Sequence, residues 1–419
     1  MRARTRAVVT GVGVVSAWGW GREPFWDGIS GGGTAIGPFS RFDHAGYRTH
    51  VAGEVPPPPS SLPEAIPGWP RLSWADRFAV AAAREALAEA GLLAAAGPSP
   101  DLAAAGLFFA SSTGGMLEGE EFYLRLRGAA AGRAALRWIA TQPVSSPAEA
   151  VARAFGVAGP VETVSSACAS GTIALGRALD ALRSGEAELA LAGGADSLCR
   201  TTYGGFNSLR SVDEEPCRPF LRERGGLSIG EGGAVLVLET AERAAARGAR
   251  VLAELTGAGS TSDAGHMTAP HPEGAGAARA LAAALADARV EPAEVAFVNA
   301  HGTGTPLNDV AEGRALAAVL GNGAAPVAVT SIKGAVGHLL GSAGAVEAAA
   351  TVLSLARGTV PPTAGRGELD PETGVDLVRT ARVAAPGVAV SLNLAFGGCN
   401  AALVFAPAAA DRAAAPAAG

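Results

Sequence analysis

The sequence predicts an α/β fold with mostly parallel sheets, and three observations carry that expectation. Short apolar runs of strand length alternate with longer segments of helical spacing. Two such series occupy the two halves of the chain, which hints at an internal duplication without a clear sequence repeat. Apolar residues make up 48% of the 419 residues and charged ones 17%, enough for a large core and far from a disordered composition.

The elements follow in order. Ala7–Thr10 reads as a buried strand, and Gly11 and Gly13 then suggest a glycine-rich turn. Val55–Pro59 is a proline-rich loop, Arg77–Ala90 has helical spacing, and Gly106–Ala110 is a short apolar strand. Pro147–Phe155 reads as a helix with Ser146 as its N-cap and Pro147 in the first position. Pro160–Ala167 is a strand, Cys168–Arg183 an amphipathic helix, and Glu188–Ala192 a buried strand ending at Gly193 and Gly194. Ala234–Glu239 and Val251–Gly257 are strands. Gly274–Ala288 is a helix, Val295–Ala300 a strand, Val310–Leu320 a helix and Val327–Ser331 a strand. Gly344–Ala356 is a helix rich in small residues, and Val388–Asn393 and Ala401–Phe405 are two final strands. The halves divide at 254/255. The second runs to 407, and Ala408–Gly419 reads as a loose alanine-rich tail.

Composition excludes several classes. Net charge is −6, so the basic footprint of a general nucleic-acid binder is absent. Cys168, Cys199, Cys217 and Cys399 form no C-x-x-C pair, which argues against a zinc site or disulfide scaffold and fits the cytoplasm. Met1–Trp20 imitates a signal peptide, but Gly11 and Gly13 interrupt its apolar run. Val383–Ala410 is uncharged, but Pro386, Gly387, Asn393, Gly397, Gly398 and Asn400 break it, so no membrane span is expected. The chain holds 33 basic side chains other than histidine, and Lys333 is the one lysine among them.

Four motifs carry chemistry. In VSSACASG a strand-like run stops at Cys168, where a helix begins. A thiol at a helix N-terminus feels the positive end of the dipole, which favours thiolate, although a structural cysteine fits the spacing equally well. In NAHGTGTP a strand delivers His301 into a Gly/Thr loop, a pattern that taken alone more often marks a structural histidine. SIKGAVGHLLGSAG places Lys333 five residues before His338. NLAFGGCN is a glycine turn between apolar strands, able to expose backbone N–H groups as an oxyanion hole requires.

Together with FSRFDHAGYRTHVAGEV, CRPFLRERGGLSIGEGGAVLVLE and SDAGHMTAPHPEGAGA, these motifs resemble the thiolase-fold β-ketoacyl-(acyl carrier protein) synthases, in particular the elongating synthase II type. The resemblance spans nearly the whole chain. It implies a thiolase-like fold of two pseudo-repeated halves layered α-β-α-β-α. It also implies a decarboxylative Claisen condensation: Cys168 takes an acyl group, and His301 and His338 act on malonyl-acyl carrier protein. The oxyanion hole would be the N–H groups of Cys168 and Phe396, with Phe396 also the gating aromatic. Lys333 would pair with Glu312, and Thr268, Thr303 and Thr305 would bind the phosphopantetheine arm. No bound cofactor or metal is implied. The expected partners are acyl carrier protein and a second subunit, in a homodimer or a heterodimer with a chain-length-factor-like protein.

Some positions depart from the synthase II pattern. Leu394 and Ala395 replace Phe and Gly at the gate, and Thr113 stands where Ile often contacts the acyl chain. Asp213, Glu214 and Glu215 sit in a shortened segment near the usual basic docking contacts, so Arg125, Arg127, Arg133 and Arg137 become candidates for docking an acidic carrier. These departures favour polyketide, polyene or modified fatty-acyl synthesis. A non-elongating acyltransferase or cyclase that keeps the acyl-cysteine is the alternative. A non-catalytic partner subunit would lack Cys168, and a Cys/His hydrolase on another fold would leave Lys333 unexplained.

Overall fold

The computed structural model describes residues 4–95, 97–128, 136–321 and 326–408. β1 (Ala7–Ser16) is one fully buried strand that runs straight through Gly11 and Gly13, not a strand followed by a turn. A Cβ at Gly11 would lie 2.1 Å from the Ala86 carbonyl oxygen, and one at Gly13 would lie 1.9 Å from that of Ala82. Glycine there lets α1 (Trp74–Glu89) pack directly on the strand. Ser73 and Asp76 close a capping box at the start of α1.

The first half continues with β2 (Gly106–Ala110), α2 (Ser146–Phe155), β3 (Val161–Val164), α3 (Ser170–Ser184), β4 (Leu189–Asp196) and β5 (Gly232–Thr240). The second half supplies β6 (Ala253–Ser262), α4 (Ala275–Ala288), β7 (Val295–Asn299), α5 (Pro306–Leu320), β8 (Ala328–Thr330), α6 (Ala343–Arg357), β9 (Val388–Leu394) and β10 (Cys399–Pro407). Strand order is β3-β2-β4-β5-β1 in one half and β8-β7-β9-β10-β6 in the other. The first three strands of each series are parallel and the last two antiparallel, so the sheets are more mixed than the sequence suggested. β9 and β10 are joined by a four-residue turn, which permits only antiparallel pairing.

The duplication is visible in detail where the sequence shows none. β6 carries Gly257 and Gly259 against the carbonyls of Ala284 and Ala280 in α4, as β1 carries Gly11 and Gly13 against α1. A register shift immediately precedes the first glycine in both strands. The half-sheets join where Ala7–Val9 pair antiparallel with Leu255–Ala253. The second series therefore starts at Ala253, two residues before the boundary drawn from sequence.

α3 and α6 lie between the two half-sheets, in one apolar cluster with residues of β1, β4, β5, β6 and β10. α1 and α2 cover the outer face of one half, and α4 and α5 that of the other. This is the α-β-α-β-α layering of the thiolase-like fold. The middle layer is tight. A Cβ at Gly171 would lie 2.4 Å from Ala345 N, and one at Gly344 would lie 2.5 Å from Thr172 N. Gly344→Ala is accordingly expected to destabilise the protein by about 1–3 kcal/mol, read as a lowered urea midpoint, because neither backbone can retreat from a close-packed layer.

Several boundaries differ from the sequence expectation. α2 begins at Ser146 with no side-chain cap bond, so Ser146 is helical rather than the cap. β4 continues through Gly193 and Gly194 to Asp196, since a Cβ at Gly193 would lie 2.1 Å from the Ala234 carbonyl oxygen on β5. α3 begins at Ser170, two residues after Cys168. The alanine-rich tail from 409 onward lies outside the described residues. Among the described residues no helix is long and apolar enough to cross a membrane.

Candidate active site

The turn after β3 places Cys168. Ala167 adopts φ +46°, a left-handed conformation that a β-carbon makes costly. Ser170 holds it there: its hydroxyl donates to Ala167 O at 2.6 Å and accepts from Ser166 N at 2.7 Å. Cys168 thus stands on a sharp turn ahead of α3, 7% exposed. Burial pushes the thiol up to about 11, while the Lys333 charge and the backbone N–H groups of Phe396 and Cys168 pull the other way.

His301 follows β7 in a loop held by buried carboxylates of α5. Glu312 accepts from His301 N at 2.6 Å and Gly302 N at 2.7 Å. Asp309 accepts from Thr303 N and Gly304 N at 3.2 Å, and from Phe220 N at 2.7 Å. Glu312 is therefore a loop anchor and not the partner of Lys333, which corrects the sequence expectation. Lys333, 1% exposed, pairs with Glu347 of α6 and donates to His301 O at 2.6 Å. Glu312 was what the family resemblance implied for the lysine's partner. A better signal was available: Glu347 interrupts a run of small and apolar residues in a helix buried from Ala343 to Ser354, where a lone carboxylate needs a cation.

His338 sits in a buried segment whose backbone bridges to Ile229, with His338 N donating to Ser228 O at 2.7 Å. Its ring lies edge-on to His301 with centroids 5.3 Å apart. Ligand-type atoms of Cys168, His301 and His338 lie within 4.8 Å of one another.

The tautomers follow from the donors around each ring. His301 Nδ1 is 3.1 Å from Lys333 Nζ and 3.1 Å from Asn393 Nδ2, and both of those atoms can only donate. His338 Nδ1 accepts from Leu340 N at 3.0 Å. Burial, and after it the Lys333 charge, lower both imidazoles well below their usual range, so both rings are neutral. Each then carries its proton on Nε2, and His338 Nε2 is buried without a protein partner. A metal ion would need lone pairs at those nitrogens. Two N–H donors beside a thiol instead suit a developing oxyanion.

One cleft gathers Cys168, His301, His338, Thr268, Thr303, Thr305, Leu394, Ala395 and Phe396. It also takes in Phe206, Arg210 and Leu227, which the motifs did not single out. Phe396 packs on Phe206 with ring centroids 5.6 Å apart. The turn beyond it is tied down by Ala395 N donating to Cys399 O and Gly397 N to Met267 O, each at 2.7 Å. The positive φ values in this turn fall on Gly397 and Gly398, so Ala395 adds no backbone strain. His266 Nδ1 accepts from Thr268 N and Ala269 N, each at 3.0 Å, and shapes the loop carrying Thr268.

Thr113 is not among the residues that line the cleft. Its N and Oγ1 both donate to Asp196, at 2.7 and 2.8 Å, and it is 2% exposed. The buried Asp196 carboxylate also takes Ser111 Oγ and Ser112 N.

A family model for the N-terminal domain of β-ketoacyl synthases matches residues 4–244, and one for the C-terminal domain matches residues 252–366. The chain belongs to the β-ketoacyl synthase family. A 3-oxoacyl-(acyl-carrier-protein) synthase 2 from Synechocystis sp. is 36% identical over 96% of this chain and 98% of the relative. A putative polyketide beta-ketoacyl synthase 1 from Streptomyces halstedii is 38% identical over 96% and 97%. Among solved structures, the ishigamide ketosynthase/chain length factor superposes with a TM-score of 0.89 at 35% identity, covering 97% of this chain and all of that one.

In this β-ketoacyl synthase two of the three acids of the shortened segment are paired with arginines. Asp213 pairs with Arg218 at 3.1 Å and Glu214 with Arg48 at 2.9 Å. Arg125, Arg127 and Arg137 are exposed, and Arg133 lies outside the described residues. The Arg125 guanidinium sits 4.3 Å over Trp138, beside exposed Tyr123, Leu124, Leu126 and Leu136. That face is apolar as well as cationic.

Proposed function

We propose that this chain is an elongating ketosynthase that joins an acyl-cysteine to a malonyl unit borne on acyl carrier protein. The observation that carries the reading is the thiol between two Nε2–H imidazoles in one buried cleft. The Cys168 sulfur attacks the carrier thioester, the bond from carbonyl carbon to the phosphopantetheine sulfur breaks, and the thiol proton leaves with the released carrier thiol. The N–H groups of Cys168 and Phe396 hold the tetrahedral oxyanion. Malonyl carrier then loses CO₂. Its thioester oxygen becomes an enolate held by His301 and His338, and the enolate carbon attacks the acyl-Cys168 carbonyl and expels the Cys168 thiolate.

Lys333 keeps His301 in place from behind. Thr303 and Thr305, whose hydroxyls are 2.8 Å apart, line the cleft with Thr268 where a phosphopantetheine arm would enter. The relatives' names support acyl carrier protein as the partner and polyketide or fatty-acyl chains as the products. The ishigamide pair supports a second subunit, a copy of this chain or a chain-length-factor-like protein. Leu394 at the gate, 5% exposed, favours a specialised chain over the housekeeping one. Four free cysteines agree with the cytoplasm.

Two results test this. After incubation with an acyl-carrier thioester, intact mass should show the acyl group on Cys168, and adding malonyl carrier should clear it as β-ketoacyl product. Acylation with no extension would replace elongation by transfer or cyclisation. In addition, malonyl decarboxylation should stay level as pH falls through 6.5, the ordinary imidazole value, and decline only well below it. Both folded-state values are depressed, so the neutral donors persist into acid. A drop centred near 6.5 would show that the working histidine is solvated.

A further inference from the structure

Asn393 lies fully buried in β9, three residues before Phe396, and its sequence context assigned it nothing. Its Nδ2 donates to Glu347 Oε2 at 2.5 Å and to His301 Nδ1 at 3.1 Å. Its Oδ1 accepts from the Thr172 hydroxyl, on the first turn of α3 just beyond Cys168. The amide has one workable orientation. Turned over, Oδ1 would face the Glu347 carboxylate and the His301 Nδ1 lone pair, acceptor against acceptors. With the amide so fixed by Glu347, the Thr172 hydroxyl donates to Oδ1 on the other side. Glu347 then takes Asn393 on one oxygen and Lys333 on the other.

Lys333 and Asn393 approach His301 Nδ1 from two elements, a one-turn helix at Lys333–Val336 and β9. One donor would leave the ring free to swing about it. Two donors from different directions define both the ring plane and the nitrogen that must lack the proton. We infer that Asn393, oriented by Thr172, is a positioning residue that locks His301 in its Nε2–H tautomer and links that tautomer to the helix bearing the acyl-cysteine. The inference rests on the proposed use of His301 as a donor to the malonyl thioester oxygen. It assigns Asn393 to the decarboxylation step and not to acyl loading.

The test compares Asn393→Ala, Thr172→Val and Thr172→Ser in the full-length protein. Nitrogen NMR of ¹⁵N-histidine-labelled protein, with His301 assigned by loss of its signals in His301→Gln, should show one Nε2–H form in the parent and mixed tautomers in Asn393→Ala. Malonyl-carrier decarboxylation should fall about a hundredfold in that variant, while single-turnover acylation of Cys168 stays within about threefold. Thr172→Val, which keeps shape but not the hydroxyl, should lose roughly tenfold, and Thr172→Ser should recover most of it.

Equal losses in acylation and decarboxylation would overturn the inference in favour of a merely structural role. So would an unchanged His301 tautomer with unchanged decarboxylation. Should Asn393→Ala fail to fold, the two Thr172 variants decide, and equal activity in both counts against the inference. If the parent releases no CO₂ from malonyl carrier, the proposed function fails. The NMR comparison would still report whether Asn393 sets the tautomer.

Discussion

Replacing Lys333 with methionine is expected to cost about 3–5 kcal/mol of stability and to abolish malonyl decarboxylation. The lysine is 1% exposed, and its ammonium is surrounded by Glu347, His301 O and His301 Nδ1. Burial raises the Glu347 carboxyl and the Lys333 charge pulls it back, so removing the cation strands an unpaired acid between the two half-sheets. Urea unfolding reads the first effect and CO₂ release the second. Lys333→Met combined with Glu347→Leu should recover most of the stability without the activity, because deleting both members of a buried pair leaves no stranded charge. Lys333→Arg keeps the charge, but the larger planar guanidinium must enter a filled site, at about 1–3 kcal/mol. Near-normal decarboxylation in Lys333→Arg would show that any cation suffices at this site.

Cys168→Ala is expected to lower condensation at least about 10⁴-fold while leaving malonyl decarboxylation measurable, since His301 and His338 keep their donors. On the proposed mechanism the two half-reactions separate, because the N–H groups of Cys168 and Phe396 and the paired imidazoles would serve different carbonyls. Normal chain extension by this variant would overturn the assignment of the nucleophile. The thiol's own protonation is open to the same kind of check. With its pKa pushed up to about 11, alkylation of Cys168 by iodoacetamide should climb about tenfold per pH unit between pH 7 and 10. A plateau already reached at pH 8 would mean that the helix terminus and Lys333 outweigh burial.

Most of the site was legible in the chain because its residues come in short ordered motifs. VSSACASG, NAHGTGTP, SIKGAVGH and NLAFGGCN name Cys168, His301, Lys333, His338 and Phe396, and all but Lys333 line the one cleft, with Lys333 bonded behind His301. Partnerships between distant segments were not legible. Glu347 lies 14 residues beyond Lys333, one acid among many in sequence, and only burial of α6 shows that it must be paired. Nor was the hold on Thr113 legible, whose hydroxyl donates to Asp196, 83 positions away. The forces on the Cys168 thiol divide in the same way: a helix terminus is a local feature, whereas desolvation depends on everything packed around it.

The glycines show the same division. Gly11 and Gly13 read as a turn, but the carbonyls of α1 show a close approach within a strand, which Gly257 and Gly259 repeat against α4. By itself, then, the sequence determined the alternation of elements, the family and the side chains that gather in the cleft, since all of these reside in local pattern and motif. The tertiary structure alone decided the burial of Cys168, the partner of Lys333 and the donors that face each histidine ring. Those are set by donors and acceptors that arrive from elements far apart in the chain, in an interior where each must find a partner.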